Sequence, residues 1–234
     1  VGNNVVNGPF SYGAGTGVEN NVSDIDQDGD DNDARVKQDG RFNYSLVDQN
    51  DDENDARVHQ EGDDNYSRVT QGATPYGNPV LNPSNWASVR QIGDENVSTI
   101  DQDGSDNKAT VIQEEDPPLA TGGIGNDGDA DRNWSDIDQI GDNNTALVDQ
   151  AGDDNDSDVD QDGDDNSATH KQGEDNNWAW TNQDGDGNTS IIMQDDATTL
   201  NIYNEAYTRQ LGDDNYSKVD QFGTYNDAWT YQYG

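Results

Sequence analysis

The stretch Gln27-Asp28-Gly29-Asp30-Asp31-Asn32-Asp33-Ala34-Arg35-Val36-Lys37-Gln38 decides the fold, because its pattern recurs along the chain. Asn stands at position i, Ser or Ala at i+2, usually a β-branched residue at i+4 and Gln at i+6. Seventeen such units begin at Asn21, Asn32, Asn43, Asn54, Asn65, Asn85, Asn96, Asn107, Asn133, Asn144, Asn155, Asn166, Asn177, Asn188, Asn204, Asn215 and Asn226. Each has its Gln six residues on, from Gln27 to Gln232. A fixed short period is the mark of stacked repeats, each too small to bury its own apolar face.

Composition alone argues for disorder. Hydrophobic content is 28% and net charge is -39, a balance that seldom buries enough apolar surface to offset the entropy of ordering. Placement overrides composition. Position i+4 is Val or Ile in thirteen units, Thr in three (Thr181, Thr208, Thr230) and His170 in one. The β-branched class packs best on a pleated surface.

In a strand, residues i, i+2, i+4 and i+6 share one face, and the variable positions i+1, i+3 and i+5 face solvent. Gly at i+8 in twelve units supplies the positive φ of a tight arc. A seven-residue strand plus a four-residue arc makes half a coil. The predicted fold is therefore all-β: a β-solenoid with two strands per 22-residue coil, 8.5 to nine coils, stacked as in amyloid. Identical residues then form columns about 4.8 Å apart. Asn21, Asn32, Asn43, Asn54, Asn65, Asn144, Asn155, Asn215 and Asn226 are expected to pair side-chain amides up the stack. Gln27, Gln38, Gln49, Gln60, Gln71, Gln150, Gln161, Gln221 and Gln232 are expected to do the same. Ser and Ala alternate at i+2 as far as Ala168, slip once at Ala179 and resume. The sequence offers no reason for the slip.

Residues 21–234 read as one solenoid, with loop insertions at 72–84, 114–132 and 195–203. All six prolines fall outside the repeats, as strand geometry requires. Residues 1–20 form an N-terminal segment: a linker, a weak cap, or an eighteenth half-coil around Asn3–Asn7. Val1 in place of an initiator Met is read as a removed leader, in keeping with a mature secreted chain. Cysteine is absent, and no apolar run approaches the ~18 residues of a membrane span. Nucleic acid is excluded as a partner, because its phosphates would be repelled.

The acidic exterior has two readings. Asp24, Asp26, Asp28 and Asp30, and likewise Asp158, Asp160, Asp162 and Asp164, fit the first half of a calcium loop, though Arg35 and Thr169 stand where its closing Glu belongs. Oxygen clusters of this kind suit calcium. The alternative is a solvated surface adapted to salt. Asp26 over Asp48 costs about 0.9 kcal/mol in water at one coil's spacing. Arg35, Lys37, Arg57 and Arg90 on neighbouring half-coils are expected to offset part of this. All five Trp and several Tyr are predicted outward, His59 exposed and His170 inward. No catalytic constellation stands out, no cofactor beyond calcium is implied, and the chain is not read as an enzyme.

The pattern resembles the curlin repeat of curli fibre subunits, Gln-x-Gly-x-x-Asn-x-Ala-x-x-x-Gln. It stands here in Gln27–Gln38, Gln49–Gln60, Gln139–Gln150, Gln161–Gln172 and Gln221–Gln232. The resemblance implies a secreted bacterial subunit that polymerises with itself, head to tail, into functional amyloid of the biofilm matrix. It also implies a nucleating subunit and an outer-membrane secretion channel. This chain is longer, more acidic and more interrupted than that family's usual subunit. The competing reading is a monomeric, calcium-dependent adhesin domain.

Overall fold

A computed structural model describes residues 20–72, 84–114, 130–194 and 202–234. Seventeen strands alternate between two parallel sheets. The nine-stranded sheet holds β1 (Val22–Asp28), β3 (Tyr44–Asn50), β5 (Tyr66–Gly72), β7 (Val97–Asp103), β9 (Trp134–Ile140), β11 (Asp156–Asp162), β13 (Trp178–Asp184), β15 (Glu205–Leu211) and β17 (Asp227–Tyr233). The eight-stranded sheet holds β2 (Asp33–Asp39), β4 (Asp55–Glu61), β6 (Trp86–Ile92), β8 (Lys108–Gln113), β10 (Thr145–Gln150), β12 (Ser167–Gln172), β14 (Thr189–Gln194) and β16 (Tyr216–Asp220). Registers are in phase throughout, so Gln lies beside Gln and Ser or Ala beside Ser or Ala. The predicted solenoid is the observed one. The bulk of each insertion, and the proposed half-coil at Asn3–Asn7, lie outside the described residues.

The inner faces of the two sheets make the core. In every interior coil the i+2, i+4 and i+6 side chains are buried. Fifteen Gln-to-Gln bonds of 2.7–3.2 Å, Nε2 donating to the Oε1 of the next coil, run unbroken up both sheets. The second Nε2 proton goes to a carbonyl on the facing sheet, as from Gln49 to Asp33 at 3.1 Å. A buried carboxamide thus has every hydrogen-bonding group satisfied, the condition on which such burial is tolerable.

The Asn columns differ from the expectation. Asn is one methylene shorter, and its carboxamide bends over the arc. Its Oδ1 accepts the backbone N–H of the next Asn, as from Asn65 to Asn43 at 3.0 Å, while Nδ2 reaches an arc carbonyl, as from Asn43 to Gly62 at 2.7 Å. Direct Asn-to-Asn amide bonds appear at only four steps among the described residues. The arcs are equally regular. Gly62 has φ 112°, and an added Cβ would lie 2.1 Å from the Gly93 carbonyl oxygen, so the next coil leaves no room for a side chain.

The core also explains the Ser/Ala slip. Residue i+2 of one sheet faces i+4 of the other. Where i+4 becomes Thr in the nine-stranded sheet, i+2 becomes Ser in the eight-stranded sheet. Thr181 Oγ1 then meets Ser190 Oγ at 2.9 Å, and Thr208 meets Ser217 at 3.4 Å. Before the slip, the hydroxyls of Ser45, Ser67, Ser98 and Ser135 are buried without a partner.

Two outcomes follow for denaturant unfolding. Gln102→Leu strands the Gln71 donor, the Gln139 acceptor and the Trp86 carbonyl, and is expected to cost at least about 3 kcal/mol. Gln27→Leu, on the half-exposed first strand, costs about 1 kcal/mol. Ser98→Ala removes an orphaned hydroxyl and is neutral or stabilising by up to about 1 kcal/mol, whereas Ser190→Ala destabilises by about the same amount.

Candidate functional site

Three features stand out against the repeat: the two ends of the stack, the acidic columns and a polar layer in the core. At the ends, among the described residues, β1 pairs only with β3, and β17 only with β15. Their side chains alternate between exposed and half-buried, where interior strands are sealed. The ladder is polar, so the ends are unlike. Among the described residues, Gln27 Oε1 lacks a donor at the first end, while Gln232 Nε2 at the last end has one proton engaged, by the Tyr216 carbonyl at 2.7 Å. Asn226 Oδ1, at the last end, likewise has no donor among the described residues, where each earlier Asn of that sheet receives one.

The candidate metal residues lie as follows. Asp24, Asp26 and Asp28 point outward from β1, beside Leu46, Asp48 and Asn50. Asp158, Asp160 and Asp162 point outward from β11, beside Asp136, Asp138 and Ile140 on one side and Trp180, Asn182 and Asp184 on the other. Asp160 Oδ2 accepts from Asn182 at 2.6 Å. Asp30 and Asp164 sit in arcs, off this face. Asp164 Oδ1 accepts the Asp142 N–H at 2.9 Å, and the Asp30 N–H donates to Asp52 at 2.7 Å. Among the described residues no group of three or more potential ligands lies close enough to hold a metal.

Those arc bonds belong to a column that the sequence reading missed. Two residues before the repeat Asn, ten carboxylates accept the backbone N–H of the matching residue one coil earlier, at 2.7–3.1 Å. The signal was the recurrence of Asp two residues before the Asn, hidden in a chain where Asp is common. The expected charge compensation also fails. Asp26 does lie beside Asp48, but Arg35, Lys37, Arg57 and Arg90 sit on the other sheet's outer face. They pair there with Asp33, Asp39, Asp55 and Glu114. Successive half-coils face opposite ways, so charges eleven residues apart are on opposite sides of the molecule.

The aromatic residues do stack along the outer columns. Tyr44 and Tyr66 stack with ring centres 5.5 Å apart and planes nearly parallel, and the Trp180 and Tyr207 ring centres are 4.0 Å apart. His59, predicted exposed, is half-covered beside Lys37 Nζ at 2.9 Å.

The core layer centres on His170. Its Nδ1 meets Ser157 Oγ at 2.8 Å, and its Nε2 meets Thr181 Oγ1 at 2.7 Å. With Ser190 this makes a hydroxyl–imidazole–hydroxyl–hydroxyl chain across the core. It separates the apolar cluster that ends at Ala168 from the one that begins at Ala179. Burial lowers the His170 pKa from 6.5 to about 3, because a charged ring there would lose its hydration. Asp138, Asp156 and Asp158 go the other way, each raised from 3.8 to about 6, first by burial and then, for Asp138 and Asp158, by neighbouring carboxylates.

These shifts set the pH dependence. Between pH 6.5 and about 3 the unfolded His binds a proton that the folded one refuses. The stability His170 contributes is therefore full above pH 6.5 and is lost as pH falls, by about 1.4 kcal/mol per unit. The three Asp instead gain protons first in the folded chain, so folding is favoured as pH falls from about 6 toward 3.8. Comparing the wild type with His170→Val cancels the Asp contribution. The stability difference between them should shrink or reverse against the wild type steadily below pH 6.5, read by denaturant midpoints at each pH.

The model of the curlin associated repeat matches residues 19–40, 29–56, 83–114 and 130–163. The matches end just before the polar layer at His170. No curated protein matches the chain. The matched residues carry the same Asn, Gln and Gly columns that the coils display, and over these segments the chain is similar to curlin-repeat proteins.

Proposed function

We propose that this chain is a structural subunit that stacks end to end into an extracellular, curli-like amyloid filament. The observation that carries the reading is the unlikeness of the two ends. Gln232 at the last end offers an amide proton, and Gln27 at the first end offers an amide oxygen. Joining last end to first continues the Gln and Asn columns of the nine-stranded sheet; joining like ends opposes like groups. Such a contact is heterologous and does not close, so it generates a filament. The family resemblance supports the same reading, together with a nucleating subunit, a secretion channel and a place in the matrix outside the cell.

Phase adds a requirement. The described residues supply nine strands to one sheet and eight to the other. A junction that pairs β17 with β1 of the next subunit leaves one strand missing from the eight-stranded sheet. The segment 1–20 is the proposed source of that half-coil. Calcium enters this reading only as a counter-ion to the acidic columns.

Elongation is tested by Tyr231→Pro. In a parallel ladder alternate residues point to opposite neighbours. The N–H of position i+1 reaches the next coil, as from Val22 to Asn43, so that of Tyr231 at i+5 points away from β15. Proline there removes a donor at the junction and no ladder bond within the subunit. Circular dichroism and melting should change little, while elongation, followed by negative-stain microscopy and by fibre diffraction at about 4.8 Å, slows at least tenfold. Filaments growing at the wild-type rate from this variant would exclude β17 as the junction.

A further inference from the structure

The two outer faces carry different charge. The strands of the nine-stranded sheet hold fifteen carboxylates against two cations, Arg68 and Arg209. The strands of the eight-stranded sheet hold six carboxylates against seven cations: Arg35, Lys37, Arg57, Arg90, Lys108, Lys171 and Lys218. Glu114, which follows β8 and pairs with Arg90, makes this seven against seven, so in a chain of net charge -39 one broad face is close to neutral. On the other, β7, β9 and β11 together hold eight carboxylates and no cation.

We propose that the outer face of the eight-stranded sheet docks side by side on the outer face of the nine-stranded sheet of a second copy. Charge complementarity selects the pairing, since two acidic faces would repel. Geometry selects a second copy as the occupant. Both faces are parallel ladders with the same rise of about 4.8 Å, so the coils of two copies stay level along the contact. The cations are accessible: the Arg35 and Lys37 side chains are 66% and 63% exposed, and those of Arg57 and Arg90 are each 50% exposed. Their present partners are exposed ion pairs, which constrain them little. The carboxylates opposite gain most from a cation. Burial raises the pKa of Asp101, Asp136, Asp138 and Asp158, and neighbouring carboxylates raise each further, while Arg68 offsets part of this at Asp101 and Asp136. The docking is lateral and does not depend on growth at the ends.

The net charge shapes the salt dependence. At about 0.01 M salt the Debye length of ~30 Å lets the repulsion between two whole molecules dominate. At about 0.15 M it falls to ~8 Å, which screens the distant arcs and spares pairs in contact. At about 1 M, with ~3 Å, the contact pairs are screened as well. Association is therefore expected to peak at intermediate salt.

The test is sedimentation velocity at these three salts, with negative-stain widths for any filaments. The full chain is compared with Arg57→Glu/Arg90→Glu on one face and Asp136→Lys/Asp158→Lys on the other. Each double variant alone should weaken lateral association at least tenfold, and an equimolar mixture of the two should restore it. If circular dichroism shows that the lysine pair disturbs the fold, Asp101→Asn/Asp160→Asn removes charge from the same face without adding bulk. The proposal is overturned by absence of lateral association at any salt or by association that rises monotonically with salt. It is equally overturned by association insensitive to the Asp variants, which would mean like-to-like packing of the eight-stranded sheet. Binding of heparin, as a polyanion probe, to the cationic face without self-association overturns it too.

Discussion

A glutamine amide buried in a dry core has no tolerable neighbour except another amide in register. That constraint governs the molecule. Each Gln needs an acceptor for one proton one coil along, a carbonyl on the facing sheet for the other, and a donor from the coil before. Only an identical residue at an identical height meets all three conditions. The invariance of Gln at i+6 is therefore a consequence of stacking, as is the uniform register of both sheets. Apolar contact is thin by comparison: one β-branched residue and one Ser or Ala per strand. A chain with 28% hydrophobic residues folds because its ladder residues are satisfied in series.

Much of this was legible in the sequence, since period, face and column are fixed by spacing alone. Gln was read correctly because nothing else accounts for a polar residue at the inner end of every strand. Asn was read one step wrong. Spacing gives its height in the column but not the reach of its side chain, and the shorter carboxamide finds the backbone before it finds its neighbour. The Ser/Ala slip was visible at Ala179 but not interpretable, because its cause lies across the core in Thr181 and Thr208. The arc carboxylates were masked by the abundance of Asp. Charge compensation is not legible from proximity in sequence, because parity of the half-coil number separates Asp48 from Arg35 and Arg57.

His170 shows what the repeat can absorb. A ring at i+4 replaces Val in a column of Val and Ile, and the replacement is accommodated by hydroxyls at Ser157, Thr181 and Ser190 rather than by charge. Below this layer the serines of the nine-stranded sheet face aliphatic residues and are orphaned; above it, serines of the other sheet face Thr and are paired. The chain thus contains two versions of one core, joined where a polar side chain can bond to both.

The ends and the faces of the stack obey different physics. At an end, a newcomer must match amides and backbone groups one for one, so recognition is short-ranged and directional, and salt acts on it by screening the repulsion between the chains. On a face, partners meet through long side chains in water, where attraction is weak per pair and depends on screening. A net charge of -39 suppresses lateral contact at low salt without touching the ladder, because ladder groups are neutral amides. Acidity and amyloid-like stacking are compatible for this reason. The repeat confines charge to the outer faces and the arcs, and leaves the core ladder to groups that carry none.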